Sequence, residues 1–503
     1  MDRREFLRLT GAAATTCLLP RCARHRSGGH SGPTSAEWSA LARSLAGKLI
    51  RPGDGAYENA RVVYNARFDH VRPQAVVQCA NANDVRETLA FVRRFALPVT
   101  PRGGGHSYAG YSTGSGVVLD LGPLHAVTVD GDTATVGGGA KLIDVYDRLI
   151  AHGVCIPAGT CPTVGIAGLT LGGGIGVLDR AHGLTADCLL RAEVVTADGR
   201  KLTCDARQNA DLFWALRGGG GGNFGVVTSF TFRTHKVREV GGFFIRWKRE
   251  DGLAVFAGWQ KWAQKVGEDI WSALSFWSDP PQFNLFAYGV SVDGIDALKP
   301  QIQALIAATG KEPQFHMTKG VAYRDLMLQF AGCEDMNVSQ CHVIDQTPDA
   351  KLERHAFAGT SDVFDHWLPA QGMEAIVSVL DSRYAAGQKG AAMFDLTGGA
   401  INRVAPDATA FVHRSSVFTA QYFSSFKVDA RAAEVEEAMD WQTGMRARMR
   451  PWSTGRAYQN YIDPKLKDWK NAYYGTNYPR LVKVKATYDP ERVFRFDQGI
   501  PPA

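Results

Sequence analysis

Between residues 71 and 237 the apolar positions come in short β-type runs broken by turns. Residues 76–78, 99–100, 117–121, 126–129 and 133–136 predict strands, the last two joined through Asp130-Gly131-Asp132. Between the first two runs the period becomes helical. Val85, Leu89, Val92 and Phe95 fall on one face, with Asp84 as the expected N-cap. Residues 141–152 predict a second helix. Residues 191–196 and 201–204 predict a hairpin turning at Asp198-Gly199, and 226–233 a further strand. After Val240 the texture changes: strand-like 242–247, 271–277 and 283–292 alternate with amphipathic 253–266, 295–309 and 430–449. That pattern predicts a second lobe, an antiparallel sheet backed by helices, and an α+β fold. The division is 34–237, 238–454 and a tyrosine-rich closing segment, 455–503.

Composition agrees with this division. At 503 residues, the chain exceeds the roughly 250–300 residues over which one core keeps growing. With 45% hydrophobic and 21% charged residues, disordered and fibrous readings are excluded. The net charge of +6 is modest, and Arg3, Arg4, Arg8 and Arg21 lie in the first 21 residues. No module carries the clustered basic residues of a nucleic-acid binder.

Arg3-Arg4 in the stretch 2–8 forms a twin-arginine pattern before the apolar run 9–19. The run is too short to cross a bilayer, which takes ~20 residues. Residues 1–33 therefore predict a twin-arginine export signal and linker, and a periplasmic or secreted protein. Cys17 and Cys22 are not preceded by a good lipobox. None of the nine cysteines forms a Cys-x-x-Cys, so no metal site is expected. An oxidising compartment permits Cys333 and Cys341 to pair across a small loop.

Four segments carry candidate chemistry. Arg102-Gly103-Gly104-Gly105-His106-Ser107-Tyr108 lies between two predicted strands; three successive glycines let backbone N–H groups face a phosphate. It also fits a plain tight loop. Cys161-Pro162-Thr163-Val164-Gly165 leads to Gly168, Gly172, Gly173 and Gly176 and presents one thiol in a glycine-dense turn. Free backbone N–H groups there should lower the thiol pKa; a buried filler cysteine is the plainer alternative. Gly222-Asn223-Phe224-Gly225 ends the single G-x-G-x-x-G match. It opens a strand through Val226 and Val227 where a dinucleotide fingerprint opens a helix, so an NAD site is rejected and a cofactor-lining loop is retained. The fourth segment holds Asn460, Tyr461 and the stretch 473–490, a tyrosine cluster that alone reads as packing.

Together the four segments resemble the berberine-bridge-enzyme-like family of FAD-linked oxidases, with a two-lobed vanillyl-alcohol-oxidase (PCMH) type FAD-binding domain. The resemblance is strong over 60–237 and 455–501 and loose between them. It implies FAD joined bicovalently, through His106 to the flavin 8α carbon and through Cys161 to carbon 6. Tyr461 matches the family's catalytic tyrosine. A phenol of ordinary pKa near about 10 is a weak base, so positive charge or hydrogen bonds are expected to lower it. Asp395 is the candidate helper, and Asn460 would hold the flavin or orient the base. His413 and Arg414 are read as structural. Val164, three residues after the cysteine, implies an oxygen gate left open, hence O2 as acceptor and hydrogen peroxide as product. The implied substrate is a small-molecule alcohol, a sugar or oligosaccharide before a secondary metabolite. Trp247, Trp259, Trp262, Trp271, Trp277 and Phe283 could stack on sugar rings, although most are expected to pack the core. A non-oxygen acceptor and a plain flavin-binding protein are the remaining alternatives.

Overall fold

The computed structural model describes residues 32–344 and 346–503; the export signal expected at 1–33 lies almost entirely outside the described residues. Three sheets carry the α+β fold. Lys48–Ile50, Ala75–Gln78, Val117–Asp120 and Val99–Arg102 form a four-stranded sheet in that order. The last three strands are parallel, and Lys48–Ile50 is antiparallel to its neighbour. Val127–Asp130, Thr133–Gly137, Val226–Arg233, Leu189–Val195 and Lys201–Asp205 form a second, antiparallel sheet. The helix expected after the first strand runs Ala82–Arg94, and its N-cap is Asn81, whose side chain accepts from the backbone of Asn83 and Asp84. Asp84 is not the cap. It sits one turn inside and accepts instead from Ala46, Gly47 and Ala80 N–H, pinning the preceding segment.

The second lobe is a seven-stranded antiparallel sheet. Its order is Phe315–Ala322, Glu239–Trp247, Gln282–Ser291, Ile270–Asp279, Gly390–Leu396, Phe418–Phe426, Ala356–Phe364. Alternation gives this sheet two different faces. Leu274, Phe276, Leu285, Phe394, Phe418 and Tyr422 pack with Trp259 and Phe256 of the helix Gly252–Ala263 into one core. Full burial of each such side chain contributes about 1.5–3 kcal/mol. Residues of opposite parity, Trp271, Trp277, Tyr288, Met393, Asp395, Gln421 and Phe423, look the other way, into a cavity.

The closing segment returns to the first lobe. Leu481, Val484 and Tyr488 of the helix Tyr478–Tyr488 share a core with Leu212, Trp214 and Phe224. Buried Lys485 donates to Asp489 and to the carbonyls of Asn223 and Phe494. Cys333 and Cys341, the pair that an oxidising compartment permits, form a disulfide with Cα atoms 5.9 Å apart. Among the described residues no helix is long and apolar enough to cross a membrane.

Candidate active site

Two glycine loops meet first. A Cβ on Gly104 would lie 2.1 Å from the Gly165 nitrogen, and one on Gly165 would lie 2.2 Å from the Gly104 nitrogen. Backbone therefore packs on backbone, and this contact brings the histidine loop and the cysteine loop to one cavity. The cysteine loop is seated on the helix Leu142–Ile150: Leu142 and Ile143 N–H donate to the Val164 and Pro162 carbonyls at 2.9 and 3.0 Å. His106 Nε2 lies 2.7 Å from Thr163 Oγ1, and its ring stacks on Tyr64 at 3.8 Å and 16°. Burial, then the charge of Lys141, pushes the imidazole pKa down to about 3, so the ring is neutral.

Cys161 opens its surface to the same cavity. The expected lowering of its pKa does not occur: separation from bulk water raises it. The reason is local, since no N–H group is placed on Sγ among the described residues, and desolvation acts unopposed.

The cavity measures about 760 Å³, within the range of cofactor and ligand sites. Along one side run Gly103, Gly104, Gly105, Ser107, Tyr108, Gly165, Gly168, Gly176, Gly222, Asn223, Gly225 and Val227, all from the predicted loops. Gly168 faces open space, with nothing within 4 Å of a built Cβ, and Gly221 meets only the Gly168 Cα at 3.9 Å. Such bare backbone is the surface a flat, phosphate-bearing cofactor needs, and FAD fits it by that test. Asn223 is held on both sides: its carbonyl accepts from Lys485 at 2.6 Å and its Oδ1 from Ile500 N–H at 3.0 Å.

The closing segment supplies the third wall. Tyr458 Oη accepts from Gly174 N–H at 3.0 Å and from Asn460 Nδ2 at 2.8 Å. Asn460 Nδ2 also reaches the Leu169 carbonyl at 3.0 Å. This fixes Tyr461, whose ring lies 5.4 Å from Tyr108 in a stacked pose and 5.0 Å edge-on from Tyr458. The Tyr461 phenol is not lowered, as a standing base would require. Burial raises it well above its ordinary value, and the facing charge of Asp395 adds to that. Among the described residues no cation is placed beside it to oppose this.

Asp395 comes from the sheet face, between Ala273 and Thr419 in register. Burial alone lifts its carboxyl to about 7. It also raises Tyr288 and Tyr461, and all three side chains line the cavity. One wall therefore presents a carboxyl that changes charge near neutrality, and another a neutral phenol. The pair can take up and pass on a proton.

Several expected assignments change. Arg102 does not line the cavity. It ends a strand with its side chain turned away, donating to the Ala60 carbonyl at 2.6 Å and to Asp120 at 3.1 Å. Gly172 and Gly173 are packing positions: a Cβ on the first would strike Asn460 and on the second Phe411. Of the second-lobe aromatics, Trp271 and Trp277 line the cavity. Trp247, Trp259 and Trp262 are buried on the helix side, and Phe283 packs against the same core. Arg414 is structural as read, its fully buried guanidinium paired with Asp187 at 2.7 Å, and His413 is likewise buried. Sequence reasoning missed Tyr64, Thr163 as a partner of His106, and Gln421, which donates to Tyr108 Oη at 2.7 Å. Gln421 and Ser425 alternate with apolar residues on one strand, and this was the signal available.

The FAD binding domain family matches residues 73–205, and the family described as berberine and berberine like matches 457–501. An uncharacterized FAD-linked oxidoreductase of Bacillus subtilis, YgaK, is 34% identical over 91% of this chain and 97% of its own length. Monolignol oxidoreductase AtBBE-like 13 of Arabidopsis thaliana is 30% identical over 86% of this chain and 84% of its own. The crystal structure of an Acremonium strictum glucooligosaccharide oxidase, described as revealing a novel flavinylation, superposes with a TM-score of 0.81. It is 25% identical and covers 93% of this chain and 98% of that one.

Proposed function

The chain belongs to the berberine-bridge-enzyme-like FAD-linked oxidoreductases, and we propose that it is an oxidase of carbinol C–H bonds, acting on a sugar or oligosaccharide and passing the electrons to O2. FAD, tethered through His106 and Cys161, would supply the hydride acceptor. The observation that carries the reading is the convergence of Asp395 and Tyr461 on the cavity that holds His106 and Cys161. Export to the periplasm or beyond, after folding, belongs to the same reading.

The chain's own residues do the proton work. Because Tyr461 is held neutral, it cannot wait as a phenolate. It accepts the substrate hydroxyl proton as its own passes to the Asp395 carboxylate, which is ionised above pH of about 7. The charge burden thus ends on the group that tolerates it near neutrality. Trp271, Trp277 and Tyr288 border the same space and offer apolar faces to a ring. Val164 lines the cavity beside Cys161 and, being smaller than leucine, leaves room for O2 to approach.

A second reading, oxidation of an aromatic alcohol, is favoured by this same aromatic border and by the monolignol oxidoreductase among the relatives. Anaerobic mixing with two panels, mono- and oligosaccharides against aromatic allylic alcohols, tests both. Bleaching of the flavin by the sugars, with stoichiometric peroxide on admitting air, supports the first reading. Bleaching by the aromatic panel alone transfers the assignment to the second.

A further inference from the structure

We propose that Thr163 is a positioning residue for flavin attachment, holding the His106 ring so that Nδ1 is the nitrogen that bonds the cofactor. The inference rests on the covalent reading above and goes beyond it by naming the group that prepares the histidine.

Three observations fix the ring. Thr163 Oγ1 lies 2.7 Å from Nε2, and Thr163 is only 3% exposed, so bulk water cannot substitute for it. Tyr64 stacks on the ring at 3.8 Å, and its own backbone N–H donates to the Gly105 carbonyl at 3.1 Å. The tyrosine is therefore tied to the histidine loop through both its ring and its backbone. Among the described residues no protein group is placed on Nδ1. The neutral imidazole carries one proton. With that proton on Nε2, donated to Thr163, the lone pair is on Nδ1, and His106 lines the cavity.

Attachment then balances as follows. The 8α methyl of the flavin loses one C–H proton, and that electron pair enters the ring system, reducing it by two electrons. The new C–N bond takes its pair from Nδ1. The alkylated imidazole would be a cation and releases the Nε2 proton through the Thr163 hydroxyl. O2, the acceptor of the proposed reaction, takes the two electrons and the two protons as hydrogen peroxide. The Nε2–H···Oγ1 hydrogen bond strengthens as the ring becomes positive, so its loss slows attachment, while flavin recognition along the glycine loops is left alone.

The test uses full-length protein in a Cys161→Ala background, where His106 is the sole tether. The readout is the fraction of chains retaining one FAD mass after acid denaturation, followed over time with added FAD. Attachment in Thr163→Val should be about tenfold slower or more, the worth of one hydrogen bond to a group turning cationic, with Thr163→Ser restoring it. Equal rates in Cys161→Ala and Cys161→Ala/Thr163→Val overturn the inference. If Cys161→Ala alone retains no flavin, the two-point attachment falls and this inference with it. NMR of the flavin peptide cut from wild type needs no variant to fold: attachment at Nδ1 supports the assignment, and attachment at Nε2 overturns it.

Discussion

Asp395→Asn separates chemistry from scaffolding, because the two respond in opposite directions. Among the described residues no donor is placed on the carboxyl, which sits on a sheet face with its pKa lifted from 3.8 to about 7 by burial. That gap corresponds to at most about 4 kcal/mol of preference for the neutral acid in the fold, for a side chain that opens onto a cavity. The sign follows from proton linkage. The folded state binds the proton more tightly than the unfolded chain, so stability falls as pH rises from about 4 to about 7 and then levels off. Asparagine keeps the shape and removes the cost. At pH 8 the variant should melt a few degrees higher than wild type. Flavin reduction moves the other way. In wild type its rate rises about tenfold per pH unit toward 7, because only the ionised carboxylate accepts a proton; in Asp395→Asn it should be flat and about 10²-fold slower at pH 8. Anaerobic stopped-flow reduction across pH 5–9, with melting curves at the same pH values, reads both. A variant that keeps full reduction rate and the step near pH 7 would refute the assignment, and one that melts lower would refute the burial argument.

Tyr461→Phe should retain its flavin spectrum but reduce about tenfold or more slowly in single-turnover experiments; an unchanged rate would remove it from the proton path. Val164→Leu should slow reoxidation by air while leaving anaerobic reduction intact, measured by mixing reduced enzyme with oxygenated buffer. Arg414→Ala should cost about 3–5 kcal/mol in denaturant unfolding by leaving Asp187 buried and unpaired, consistent with a fully buried guanidinium that never touches the cavity.

The elements legible in the sequence were those with one clear period. The helix Ile295–Thr309 matches its expected bounds, and the strands Ala75–Gln78 and Thr133–Gly137 lie within a residue of theirs. Ala356–Phe364 was not legible because Gly359-Thr360-Ser361-Asp362, buried with the rest of the strand, break both an apolar run and a polar alternation in its middle. Asp84 was taken for a cap because its type suits one, but Asn81 three residues earlier suits it equally, and the segment 46–47 claims the aspartate. In the site, glycine density marked loops that approach each other and line one cavity. It could not distinguish Gly168, open to the cavity, from Gly172, filled by Asn460. Arg102 is contiguous with the glycine loop in the sequence, but as the last residue of the strand Val99–Arg102 it turns to Asp120. The direction of both pKa expectations failed for one reason: neighbours along the chain predict donors, while burial is set by walls from three distant segments. Tyr64 and Tyr288 belong to those walls and have no local signature.

The central claim is that His106 and Cys161 both hold FAD. Intact mass of acid-denatured wild type, His106→Ala, Cys161→Ala and the double variant tests it directly. One FAD mass retained by the first three and lost from the double variant is the predicted result; flavin washing out of the wild type would contradict the account.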